Sequence, residues 1–186
     1  MQLVIGADAL ARASILQSMI PTEWSGYGPL IKVSDDTYLM PTFYFVSVND
    51  SPGSTELDPL AAAEAWQMAA DDGFDVSRLN LAWVHCHPRG LAGWSLTDEK
   101  AIMDCLEYQA RDDARQVSVL FAGPDIIARH DDLSGTADME VETDWGPWAG
   151  IAQQALDAAA EADDTAWWMW EVNNDYEDPF RWIAQP

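Results

Sequence analysis

Residues 79–98 read LNLAWVHCHPRGLAGWSLTD, and the order written into them, strand then loop then helix, sets how the chain around them is organised. The run from Leu79 to His87 is mostly apolar and stops at Pro88, which predicts a buried strand. Two glycines in the next six residues predict a loop. From Thr97 the segment TDEKAIMDCLEYQARDDA puts acids in its first turn and Ile102, Cys105 and Leu106 on one face, the pattern of a helix.

Upstream, PLAAAEAWQMAADDG from Pro59 joins strong helix formers to a first-turn proline and a glycine stop, a second helix. NDSPGSTELD before it reads as a loop. WSGYGPLIKV and TYLMPTFYFVSV are β-rich runs separated by SDD, predicting two antiparallel strands with Pro41 at an edge or bulge. Residues 2–5 suggest a short strand, and Asp8 to Met19 a helix ending before Pro21. Downstream, VSVLFAG and DIIARH predict a hairpin about Gly123 and Pro124, MEVET a further strand, and Ala149 to Ala162 a helix. Helices interspersed among strands that include hairpins predict a mixed-sheet α/β or α+β domain.

The bulk properties narrow the function classes. A chain of 186 residues suits one domain, expected here over 1–145, followed by a C-terminal helix and tail over 146–186. No apolar run approaches the roughly 20 residues of a membrane span, and the N-terminus lacks a basic region followed by a long apolar stretch, so a cytoplasmic location is expected. Cys86 and Cys105 are too few for a disulfide scaffold. A net charge of −23 with two lysines, Lys32 and Lys100, repels a phosphate backbone and argues against nucleic acid as a partner. So much acid reads either as a solvated surface adapted to high salt or as a face for a basic partner. The tail DDTAWWMWEVNNDYEDPFRWIAQP holds Trp167, Trp168, Trp170, Tyr176, Phe180 and Trp182, too aromatic for a disordered end. It is expected to pack on the domain or to form a protein-binding patch.

Two of the three histidines stand in the opening stretch. His85 and His87 are two apart on a predicted strand, so both imidazoles share a face and can reach one ion, while Cys86 faces away into the core. Asp98 follows at the start of a helix, where its carboxylate could complete a three-ligand site with a position open for water, the pattern of catalytic zinc. The same fragments also fit a core histidine pair and an ordinary capping box, Ser95 to Asp98.

The combination His-x-His-Pro, with seven residues between the second histidine and a following Ser-x-x-Asp, resembles the JAMM, or MPN-domain, metallopeptidases: His85, His87, Pro88, Ser95 and Asp98 match without a gap. The family's upstream glutamate, in a Pro-x-Glu-x-x-Gly setting, is matched by Glu23 between Pro21 and Gly26. Glu56 and Glu64 lack that setting. The resemblance covers about residues 1 to 145 and implies an MPN-like (cytidine-deaminase-like) mixed β-sheet flanked by helices. It implies His85, His87 and Asp98 as ligands of one zinc per chain with a bound water, Glu23 as general acid/base, and Ser95 as the oxyanion donor.

Cys86 stands where Ser or Thr is common in the family, and Trp94 where many prokaryotic relatives carry proline. Trp94 is expected either to flank the substrate tail or to plug a small apolar cluster. Cys105 and His130 are too few for a second zinc site, and His130 is expected in an exposed loop. The implied activity is cleavage after the C-terminal glycine of a ubiquitin-like protein, by deconjugation or precursor processing. A sulfur-carrier-protein peptidase of the same family and a non-catalytic MPN scaffold are the alternatives. DNA-repair-associated relatives share the motif with a following glycine, here Gly90, but the acidity of the chain disfavours DNA.

Overall fold

The computed structural model describes residues 1–48, 59–77, 79–87, 92–109 and 114–146, in eight strands and three helices. β1 (Gln2–Gly6) leads into α1 (Ala7–Met19), which buries Ala9, Leu10 and Ala13. Ile20 is extended, as the residue before Pro21 must be, and its N–H still reaches the Leu16 carbonyl at 2.8 Å, which closes the helix. β2 (Trp24–Lys32), β3 (Thr37–Met40) and β4 (Tyr44–Val48) follow, then α2 (Pro59–Asp71), β5 (Asn80–Cys86), α3 (Leu96–Gln109), β6 (Arg115–Ala122), β7 (Asp125–Asp132) and β8 (Gly135–Asp144).

The strands run in the order β3-β1-β8-β7-β6-β5-β2, and β2 pairs again with β3, so seven strands close into a barrel while β4 hangs on β2 outside the ring. This corrects the expected MPN-like mixed sheet flanked by helices: the sheet has no open form here, and strands dominate over the three helices. Closure comes from a division of labour along β2. Its first half pairs antiparallel with β4 and its end, at Ile31 and Lys32, with β3, because the chain breaks at Pro41 between those two strands. Freed by the break, β3 turns its other edge to β1, which pairs parallel with β8. The remaining seams are antiparallel except β5 with β6, which run parallel and need α3 as their crossover.

Two glycines of β2 make room for the break. A Cβ on Gly26 would collide with the Tyr44 carbonyl and the Phe43 ring, and one on Gly28 with the Met40 side chain. Met40 and Phe43 instead fill that space, and both are fully buried. Phe43 stacks on Trp24 at 5.5 Å and 3°, and Phe121 closes the trio at 6.2 Å from Trp24. Trp24, Cys86 and Phe121 are successive register partners, so they share one face of the wall. The opposite face carries Tyr27 and Trp83, which pack with Ala65 and Ala69 of α2 and Ile102 and Leu106 of α3. α1 lies on β1 and β8, and α3 on β6.

Met1–Asp144 forms one compact unit. The loop expected at 49–58, the helix expected over Ala149 to Ala162 and the aromatic tail lie outside the described residues. Among the described residues no helix is long and apolar enough to cross a membrane. Cys86 and Cys105 are free thiols. His130 is not in a loop: it sits on β7 opposite Val117, 7% exposed, and burial pushes its pKa down. A histidine followed by two aspartates reads as surface, whereas barrel closure places it against the wall.

Candidate metal centre

β5 ends at Cys86, but the His87 N–H donates to the Phe121 carbonyl at 3.0 Å and prolongs the parallel ladder by one residue. Strand alternation therefore holds through His87, and the two imidazoles stand on one face with centroids 5.0 Å apart at 71°. Cys86 points the other way, is fully buried, and accepts a long contact from Gln17 of α1 at 3.6 Å; burial pushes its thiol up to about 11. Trp83, two residues before His85 on the same face, stacks beneath its ring at 4.3 Å and 15°.

Asp98 arrives from α3. Ser95 caps that helix: its N–H donates to Asp98 Oδ2 at 2.7 Å, and the Asp98 N–H donates to Ser95 Oγ at 3.2 Å. This reciprocal capping box fixes the Asp98 carboxylate over the histidines. His85 Nε2 lies 3.5 Å from Asp98 Oδ1 and His87 Nε2 3.3 Å from Oδ2. Burial alone would raise the Asp98 pKa, but the imidazoles and the Ser95 N–H hold it well below the carboxylate range. Burial likewise drives His85 toward its neutral form, the form that can ligate a metal.

His85, His87 and Asp98 are all buried, their ligand atoms lie within 4.8 Å of one another, and the group could hold a metal ion. The fit is close. Two ligands of a tetrahedral zinc, each about 2.0–2.2 Å from the ion, stand roughly 3.3–3.5 Å apart, which is the spacing of each histidine nitrogen from its Asp98 oxygen. His85 is fully buried with neither ring nitrogen hydrogen-bonded, and a metal bond at Nε2, the nitrogen facing Asp98, would relieve the cost at that nitrogen.

Glu23 stands just before β2, partly buried. Trp24 pairs with Cys86, so Glu23 comes up beside His87. Its pKa is raised, by burial first and by the charge of Asp98, against the opposing pull of His87. Among its sequence rivals, Glu64 is exposed on α2, and Glu56 lies outside the described residues. Ser95 is exposed at the rim, its oxygen accepting from Asp98 while the hydroxyl hydrogen remains to be donated. Trp94 is half-buried, 5.5 Å from the His85 ring, with the Arg129 guanidinium 5.0 Å from its own centroid.

Three neighbours of the site carry no motif. Trp83 reads as one more apolar strand residue, Glu99 as a first-turn acid of a helix, and Arg129 as a charge in a mixed strand. The last, a single base inside DIIARHDD, is the sole signal that sequence offered for a buried ion pair.

No family model matches the chain, and no curated protein matches it. Among solved structures, the solution structure of protein DSY2949 from Desulfitobacterium hafniense is similar, with a TM-score of 0.56 and 15% identity over 76% of this chain and 92% of that one. At that identity the likeness speaks for the fold alone, and function has to be argued from the site.

Proposed function

We propose that the chain is a zinc metallopeptidase of JAMM type that cleaves the bond following the C-terminal glycine of a ubiquitin-like protein. The observation that carries the reading is the pair of spacings, 3.5 and 3.3 Å, from His85 and His87 to the two oxygens of one buried carboxylate. Together with the match of Glu23, His85, His87, Ser95 and Asp98 to the family motif, it supports catalysis over a structural zinc, which would be closed by a fourth protein ligand. The reading rests on the site and the motif, independently of the barrel.

When bound by His85, His87 and Asp98, zinc would supply Lewis acidity and lower the pKa of water at the site. Glu23, poised by its raised pKa, accepts a proton from the attacking water and delivers it to the departing amine. The Ser95 hydroxyl donates to the carbonyl oxygen as negative charge develops on it. Trp94, immediately before Ser95 and 5.5 Å from the His85 ring, flanks the substrate tail. β4 closes the strand order, so one of its edges has no strand partner among the described residues and suits an extended peptide added as a further strand. Free Cys86 and Cys105 fit a reducing, cytoplasmic setting.

The test is cleavage of ubiquitin-like proteins bearing a short extension after their terminal glycine, followed by mass spectrometry. Cut products ending at that glycine, lost on chelation and restored by zinc, are expected. A protein that retains zinc yet cuts none of a broad panel would overturn the substrate assignment; one that retains no zinc would overturn the metal assignment.

A further inference from the structure

Arg129 of β7 is 3% exposed, and every nitrogen of its guanidinium is engaged. Nε donates to Asp131 Oδ2 at 2.8 Å, and the two terminal nitrogens donate to the two oxygens of Glu99 at 2.5 and 2.8 Å. The planar face lies against Trp94, 5.0 Å from the ring centroid. Asp131, 1% exposed, is held in turn by Thr136 Oγ1 at 2.6 Å. A buried cation is tolerated only when its pairing is this complete.

The direction of the pairing is what matters. Trp94 immediately precedes Ser95, and Glu99 immediately follows Asp98. The barrel wall thus grips both flanks of the capping-box turn through one side chain, with the fork on Glu99 and the face on Trp94. Trp94 in turn leans on His85 at 5.5 Å, so the same clamp touches a histidine ligand and the helix that carries the carboxylate ligand.

We propose that Arg129 is a positioning residue for the metal centre, holding the turn that delivers Asp98 to His85 and His87. The inference rests on the reading of those three residues as metal ligands. Lysine cannot replace Arg129, because a single ammonium cannot form the fork and stack on the ring together. Partners that orient ligands in this way characteristically govern metal affinity by about tenfold to a hundredfold.

Removing the whole side chain would strand two acids and endanger the fold, so the test uses Arg129→Lys and Glu99→Gln, the second at a side chain 45% exposed. Zinc affinity is read by chelator competition, and the visible spectrum of the cobalt-substituted chain reports ligand geometry. Amide exchange at Ser95 and Asp98 is followed in the metal-free chain. Both variants should bind zinc about tenfold to a hundredfold more weakly, shift the cobalt bands, and exchange those two amides faster while β5 and β6 amides stay protected. Unchanged affinity and cobalt bands in both variants would overturn the proposal. If the wild-type chain bound neither zinc nor cobalt, the metal reading would fall, and unchanged exchange at Ser95 and Asp98 would then dismiss the positioning role as well.

Discussion

Ser95 and Asp98 hold each other: the serine N–H donates to the aspartate carboxylate at 2.7 Å, and the aspartate N–H donates to the serine hydroxyl oxygen at 3.2 Å. The capping box expected of SLTD is thus present, and the proposed catalytic role of Ser95 is compatible with it. The hydrogen bonds that start α3 also aim the carboxylate at His85 and His87, and they leave the serine hydrogen free to act.

Ser95→Ala should show both roles. Loss of the cap costs about 1 kcal/mol, a small fall in melting temperature, while loss of an oxyanion donor costs about 10²- to 10³-fold in kcat. Stopped-assay kinetics beside thermal unfolding separates them. A rate loss no larger than the stability loss explains would leave Ser95 a cap and nothing more.

Metal removal should destabilise the unit as well as silence it. At a free zinc concentration a thousandfold above Kd, binding to the folded state alone adds about 4 kcal/mol, so the melting temperature of the wild-type chain should rise on adding zinc. His87→Ala should lose both the bound zinc and that rise, by metal analysis and calorimetry. Stoichiometric zinc in His87→Ala would remove that residue from the ligand set.

Glu23→Gln should retain zinc and lose on the order of 10²-fold or more in turnover. Its stability in the metal-free chain should move the other way. Burial and the Asp98 charge raise the Glu23 pKa on folding, so the stability tied to its protonated form is present at low pH and lost as pH rises through the folded-state value. Glutamine cannot ionise and escapes that loss. At neutral pH the metal-free variant should melt no lower than wild type, and a clear drop would mean that the carboxylate has a structural partner.

Gly26→Ala tests the barrel itself. The added Cβ meets the Tyr44 carbonyl, a backbone atom that cannot swing aside, so overpacking should cost about 1–3 kcal/mol. Denaturant unfolding would report it, and a neutral result would mean that β2 and β4 can separate locally without penalty.

Much of the site was legible before any tertiary structure. Two-residue spacing on a strand puts His85 and His87 on one face whatever the strand pairs with, and a capping box is complete within four residues. The helix stop before Pro21 and the hairpin about Gly123 are equally local, set by a restricted φ and a turn, whereas Pro41, expected at an edge or bulge of a single strand, separates β3 from β4. Glu23 was separated from Glu64 by its proline and glycine setting, and its placement beside His87 follows from the register of β2 on β5. Trp94 stayed divided between two roles because its neighbours, His85 and Arg129, come from different strands.

Sequence by itself therefore determined the three helices among the described residues, most of the strands and the three candidate ligands, since each depends on torsions and periodicities within a few neighbouring residues. Tertiary structure alone decided that the sheet closes, that His130 is buried, and that Arg129 clamps the turn between Trp94 and Glu99. Those outcomes depend on pairings such as β1 with β8, Gln2 beside Glu140, and on a salt bridge from β7 to α3 across 30 residues. An alternating strand pattern is satisfied by many partners, so it states which face a residue takes and leaves open which strand, or which distant charge, it meets there.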